Sequence, residues 1–325
     1  VREVNALDQP IRLKNNGQIS ITLNHRAKKE TVEVKEFVTE VASPEYELLK
    51  EIEQELNTLV GLEEVKRIIK EIYAWIIINQ KREQHGLKTG KQVLHMMFKG
   101  NPGTGKTTVA RLIGKLFHKA NILSKGHLVE CERADLVGEY IGHTAQKTRD
   151  VIKKAIGGIL FIDEAYSLGR GGEKDFGKEA IDTLVKHMED RQHEFILILA
   201  GYSREMDGFL ALNPGLESRF PIIIEFPDYS VEQLMKIARK MVAEKEYVLS
   251  EEAERKLRDH LISVKLQMHG GRFSNGRYIR NVIEKSIRTQ AMRLLTENQY
   301  SKQDLLTLRA TDLVFPKDPT TFSLY

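Results

Sequence analysis

The sequence predicts an α/β fold: a parallel sheet sandwiched by helices, followed by a smaller helical lid-like domain. Three observations predict it. Apolar runs at Val93–Phe98, Leu128–Cys131, Gly158–Asp163, Phe195–Ala200 and Ile222–Phe226 alternate with helical patterns at Thr108–His118, Gln146–Ala155 and Gly177–Glu189. Such alternation implies parallel strands covered on both faces. A glycine-rich segment, Gly100-Asn101-Pro102-Gly103-Thr104-Gly105-Lys106-Thr107, joins the first run to the first of these helices and fits the Walker A pattern in full. Beyond Pro227 the strand signals stop. Helix-capping signals replace them at Ser230–Gln233 and Ser250-Glu251-Glu252, and a third helix is expected over Arg277–Leu295. The next strand-like run is Leu313–Phe315.

Taken in chain order, residues 1–45 form an N-terminal arm or small extension. Asn15-Asn16-Gly17 is a turn signal, and Ile19, Ile21 and Leu23 alternate with polar residues, as do Val32 and Val34. A small hairpin and a loosely ordered arm fit equally. Pro44 precedes a helical pattern with Leu48, Leu49, Ile52 and Leu56, and Val60-Gly61-Leu62 opens a helix carrying Val65, Ile68, Ile69 and Ile72 on one face. The division expected is 1–45 extension, 46–228 nucleotide-binding core and 229–325 helical domain.

Composition excludes some classes of function. The 325 residues are 41% hydrophobic and 30% charged, with a formal charge of +4 from dispersed basic residues. These values fit an ordinary globular chain and give little support to nucleic-acid binding. Lys147, Arg149, Lys153 and Lys154 are the nearest approach to a basic cluster, and on a helix they spread over more than one face. Nucleic acid is therefore not an expected partner. Cys131 is the single cysteine, which rules out an internal disulfide and reads as core packing. The apolar runs are too short to span a bilayer, and no apolar leader opens the chain, so the cytoplasm is the expected location. The histidines lack metal-ligand spacing, and Trp75 reads as packing.

The chemistry expected is that of a nucleoside triphosphate. Loop amides and a helix N-terminus converge on one place, where the helix dipole favours an anion. Asn101, Pro102, Gly103, Thr104, Gly105, Lys106, Thr107 and Thr108 make the binding segment. Lys106 puts a positive charge on the outer phosphates, and the Thr107 hydroxyl can ligate Mg²⁺. The third strand ends in Asp163-Glu164. Asp163 is expected to hold Mg²⁺ through water, and Glu164 to polarise the attacking water.

Phosphoryl transfer also needs charge stabilisation from outside the loop. Arg219 lies just before the fifth strand, where it reads as an arginine finger for a neighbouring subunit or as a surface salt bridge. Arg277, in Ser274-Asn275-Gly276-Arg277, reads as a lid residue folded over the γ-phosphate or as a plain exposed arginine at a helix start. Arg280 is the lesser candidate.

Together, Val60-Gly61-Leu62, the two phosphate motifs, Arg219 and the Gly276-Arg277 element resemble an AAA+ ATPase from about residue 56 to 315. Gly138–Thr144, Asp163–Leu168 and Ala200-Gly201-Tyr202 narrow the resemblance to the CbxX/CfqX subfamily, which includes red-type Rubisco activases. The resemblance to its sporulation branch is stronger still. It implies an ATPase that uses ATP/ADP and Mg²⁺, with Gly61 at the nucleotide. It further implies a homo-oligomer, a ring hexamer with shared sites, that remodels a protein client, here in sporulation. A Rubisco-activase-like remodeller and a nucleic-acid motor or loader are the alternatives. Tyr140-Ile141-Gly142 matches an aromatic pore loop, with Tyr140 packed into its own core as the other reading, and Gly169–Lys174 resembles a second pore loop while its glycines fit an ordinary mobile surface loop equally. Many relatives carry Asn or Thr at the end of the fourth strand. Here Tyr202 or Ser203 would have to take that role.

Overall fold

The computed structural model describes residues 44–90, 93–140, 142–170, 175–268, 273–297 and 300–316. The arm over residues 1–43, Ile141 and residues 171–174 of the second pore-loop segment lie outside the described residues.

Two helices lead in, α1 (Pro44–Asn57) and α2 (Glu63–Gln84). The sheet domain follows as β1 (Met96–Gly100), α3 (Lys106–Lys119), β2 (Leu128–Cys131), α4 (Arg133–Leu136), α5 (His143–Ala155), β3 (Ile159–Ile162), a 3₁₀ turn (Ala165–Gly169), α6 (Gly177–Asp190), β4 (Ile196–Gly201), α7 (Ser203–Leu212), α8 (Pro214–Glu217) and β5 (Ile222–Phe226). The helical part comprises α9 (Val231–Ala243), β6 (Val248–Leu249), α10 (Glu251–Gln267), α11 (Asn275–Glu297), α12 (Lys302–Leu306) and β7 (Thr307–Leu308).

The five-stranded sheet has the order β2-β3-β4-β1-β5 and every pairing is parallel. Side chains alternate between its faces, as strand geometry requires. Met96, Phe98, Ile159, Phe161, Ile196 and Ile198 face α2, α3 and the helical domain. Met97, Leu160, Ile162, Leu197 and Leu199 face the layer of α5, α6 and α7. The first apolar core runs without a break into Leu234, Leu257 and Tyr278, so the lid is packed onto the sheet domain.

Where the structure departs from the sequence reading, the reason is local. The first strand starts at Met96 rather than Val93 and extends to Gly100, because its ladder partners begin at Ile198 and Ile222. Val93 and Leu94 are half-buried without pairing; hydrophobicity marked their burial, not a ladder. Leu313–Phe315 forms no strand. Thr307–Leu308 pairs with Val248–Leu249 instead, while Leu313 and Phe315 pack against the helices as single side chains. Trp75 is 39% exposed. It lies about 200° around the helix from Tyr73, which takes the buried face. Cys131 is buried, and burial pushes its thiol up to about 12, as suits a packing residue.

His95 is a buried polar pin beside the first strand. The Leu197 N–H donates to Nδ1 at 3.0 Å, which leaves the proton on Nε2, 3.2 Å from the Met188 carbonyl. Burial holds its pKa below the ordinary 6.5, and nearby His193 acts in the same direction. The folded state therefore binds fewer protons than the unfolded chain once pH drops through about 6.5, and stability falls from there downward. Urea midpoints at pH 7.5 and 5.5 test this. The wild type should lose more stability than His95→Gln, and equal losses would clear His95 of the effect.

Candidate nucleotide site

The loop after β1 is built from residues that only this backbone path tolerates. Gly103 has φ 71°, and a Cβ there would sit 2.2 Å from the Ser274 carbonyl oxygen of the lid. Gly105 has φ 97° and caps α3. The amides that open α3 are thus left pointing at the space beside the loop. The Thr104 hydroxyl donates to the Asn101 carbonyl at 2.7 Å, and Asn101 turns its amide to Asp228, so these two side chains fold the loop. Lys106 Nζ donates to the Gly100 and Asn101 carbonyls, each at 2.8 Å. Burial lowers the Lys106 pKa while the Asp163 carboxylate acts against it, which places the two within electrostatic reach.

A cleft of about 590 Å³ opens here. Gly103, Gly105, Lys106, Thr107 and Thr108 line one side, and Asp163, Glu164, Gly201 and Tyr202 the end of the sheet. Arg277 and Arg280 enter from α11, and Arg277 lies near enough to Lys106 to depress its pKa further. The far end is lined by Thr58, Leu59, Val60 and Leu62 against Ile237, Lys240 and Met241 of α9 and Glu244 just after it. Gly61 and Leu62 both adopt left-handed φ, 63° and 61°. A Cβ on Gly61 would meet only the movable side-chain amide of Gln233, so it is the left-handed φ of this turn that favours glycine. Lys240 Nζ closes that end with a 2.7 Å bond to the Thr58 carbonyl.

Glu164 also has a left-handed backbone, φ 47°, an arrangement that costs about 1 kcal/mol or more and is met at active sites. Its N–H donates to Asp163 Oδ1 at 2.9 Å. The two neighbouring carboxylates are therefore splayed, with Asp163 tied to the turn and Glu164 exposed beyond it. The donors of this site suit a triphosphate: a glycine cradle that a Cβ would block, a lysine, a threonine hydroxyl and a carboxylate pair.

The comparisons with known proteins bear on the same region. A model of the ATPase family associated with various cellular activities (AAA) matches residues 96–228, and an AAA lid domain model matches residues 230–322. Stage V sporulation protein K of Bacillus subtilis (strain 168) is 69% identical over 311 residues, which is 94% of this chain and 97% of that protein. The chain belongs to the AAA+ ATPases. Within this family it is also similar to proteins named CfxQ and CbxX. The chloroplastic ribulose bisphosphate carboxylase/oxygenase activase of Cyanidioschyzon merolae (strain NIES-3377 / 10D) is 41% identical over 82% of this chain and 90% of its own. Among solved structures, the FIGL-1 AAA domain shares the fold, with a TM-score of 0.54 at 17% identity over 81% of this chain and 84% of that one. No helix among the described residues is long and apolar enough to cross a membrane.

Two groups expected in an AAA+ machine lie away from the cleft. Arg219, two residues beyond α8, does not line it; Nε donates to Glu189 Oε1 at 2.6 Å and Nη1 to the Gly215 carbonyl. Tyr140 is 65% exposed and sits edge-on to His143, 5.5 Å between centroids, and Gly142 takes φ 83° to start α5. Tyr202 lines the cleft, whereas Ser203 donates to Glu225 at 3.2 Å. Sequence reasoning passed over Asp228, Tyr229 and Asn275, which tie the loop to the lid, and gave Arg280 little weight. The Asn275 signal was present in principle, since asparagine tolerates left-handed backbone, but Asp228 resembles any polar residue between a strand and a helix.

Proposed function

We propose that this chain hydrolyses ATP to ADP and phosphate as a ring, a hexamer of its own copies, and spends the energy on remodelling a protein client in sporulation. The observation that carries the reading is the gathering of Lys106, Thr107, Asp163, Glu164 and Arg277 around one cleft. The glycine loop and the α3 amides bind the phosphates, and Lys106 exchanges its loop carbonyls for the outer phosphate oxygens. Thr107 and Asp163 would hold Mg²⁺, which supplies charge neutralisation on those oxygens. Glu164 orients water and takes its proton. Arg277 adds positive charge from the lid, and Arg219 adds it from the neighbouring copy. Gly61, between Thr58 and Leu62, brings backbone amide and carbonyl groups to the base. The core spans 46–228 and the lid 229–325.

Similarity to the sporulation protein supports that setting. A Rubisco-activase-like task is the second reading, favoured by the 41% identity to a chloroplastic activase. Exposure of Tyr140 supports a gripping loop with Ile141 and Gly142, because an exposed ring offers contact area at little entropic cost. The full chain should release phosphate from MgATP, with specific activity that rises with protein concentration as rings close. No phosphate release at any concentration would overturn the proposal. Tyr140→Ala should keep basal turnover within about twofold and lose client-stimulated turnover, because exposed substitutions rarely perturb the fold. Undiminished stimulation in that variant would remove Tyr140 from client contact.

A further inference from the structure

The loop and the lid are joined by a polar clasp that the phosphate chemistry does not require. Asp228 occupies the two-residue hinge between β5 and the Tyr229–Ser230 start of α9. Its Oδ1 accepts from Asn101 Nδ2 at 3.0 Å and from Asn275 Nδ2 at 2.7 Å, and its Oδ2 accepts from Asn101 at 3.1 Å. One carboxylate thus holds a loop residue and a lid residue together. Asn275 is fully buried, with φ 42°, as the first residue of α11. Its Oδ1 accepts from the Tyr229 N–H at 2.9 Å, and Nδ2 also donates to the Phe273 carbonyl at 2.9 Å. The Tyr229 hydroxyl crosses back to the Thr104 carbonyl at 2.9 Å, and the Gly276 N–H donates to the Gly103 carbonyl at 3.0 Å.

These bonds converge two residues before Arg277. Gly276 is the only residue between Asn275 of the clasp and that arginine, so the clasp sets where α11 begins and where Arg277 enters the cleft. Hydrogen bonds to a carboxylate are stronger than neutral ones and are directional. A carboxylate shared between two amides therefore specifies one lid position rather than a range. We propose that Asp228, bridging Asn101 and Asn275, is a positioning residue that fixes the lid on the phosphate loop and acts on ATP through Arg277. The proposal rests on the ATPase reading above. It assigns the hinge a task of its own: the loop's response to the outer phosphate reaches the lid through Asn101, and release of the clasp lets the lid turn.

The test is a double-mutant cycle in the full chain on Asp228→Ala, Arg277→Ala and the pair, with turnover, ATP affinity and ADP affinity read for each. Asp228→Ala should lower kcat about tenfold and the preference for ATP over ADP about fivefold, within the range seen for residues that couple sites. The pair should be no worse than Arg277→Ala alone, because the two act through one interaction. Asp228→Asn keeps the shape and one oxygen able to accept from both Asn101 and Asn275, and should retain part of the ATP preference that Asp228→Ala loses. A merely structural role would weaken both nucleotides alike and would make the cycle additive; either result overturns the proposal. If Asp228→Ala does not fold, Asn101→Ala removes the loop side of the clasp and is read the same way. Absence of turnover in the wild type would sink the ATPase reading, whereas normal turnover with an unchanged Asp228→Ala variant sinks the clasp alone.

Discussion

Glu164→Gln is expected to bind MgATP with near wild-type affinity and to lose about 10²–10⁴ in turnover, the range for removing a positioned general base. The substitution keeps size and shape, so the left-handed turn at φ 47° and the N–H bond to Asp163 Oδ1 survive. What it removes is the ability to accept a proton from water at the strand end. Lys106, Thr107 and the glycine cradle lie on the other wall and are untouched, so binding should persist. The surroundings favour a carboxylate with a defined direction. Tyr166 is buried beside Glu164, and its hydroxyl pKa is pushed up by burial first and by the Glu164 charge next. That tyrosine stays a hydrogen-bond donor at working pH. Phosphate release and binding of a fluorescent nucleotide separate the two effects. Wild-type turnover in Glu164→Gln would take this residue out of the chemistry and leave Asp163 as an anchor without a base. The variant held with ATP is also the form in which a client should co-purify.

The sheet was legible because each strand is an apolar run and each helix between them has its own periodicity. All five strands of the sheet overlap the predicted runs, β2 and β5 match residue for residue, and β1 and β4 run past the predicted ends to Gly100 and Gly201. Both halves of the capping box at Ser230 and Gln233 form as read, as does the Ser250 cap. Short elements escaped: α4 and α8 have four residues each, below the length at which periodicity can be seen. The two-residue strands β6 and β7 pair across about 60 positions of chain, a contact that no local pattern encodes. The cleft divides in the same way. Its loop and strand-end residues are consecutive in sequence and carry spacing signals. The wall from α9, with Ile237, Lys240 and Met241, is assembled by tertiary packing, and in the sequence those residues read only as an amphipathic helix.

Arg219→Ala is expected to leave ATP binding intact and to cut turnover by about 10³–10⁵, the worth of an arginine finger. Magnitude separates this from the alternative. Within one protomer Arg219 makes an ion pair with Glu189, with 32% of its side chain and 54% of the glutamate's exposed. An exposed pair of this kind contributes about 0–1 kcal/mol to stability. The expected loss of rate corresponds to about 4–7 kcal/mol of transition-state stabilisation, which no exposed ion pair can supply. Glu189→Ala is the control, because it breaks the same pair and leaves the arginine free to reach out. If Arg219 acts on a neighbouring copy, Glu189→Ala retains turnover while Arg219→Ala loses it, and adding Arg219→Ala protomers to the wild type poisons mixed rings. If Arg219 is only a surface partner of Glu189, the two variants shift stability alike and both keep their turnover. On the finger reading, the pair would let one residue serve both states: a guanidinium parked on Glu189 costs little to release and would turn to a phosphate when a second subunit arrives.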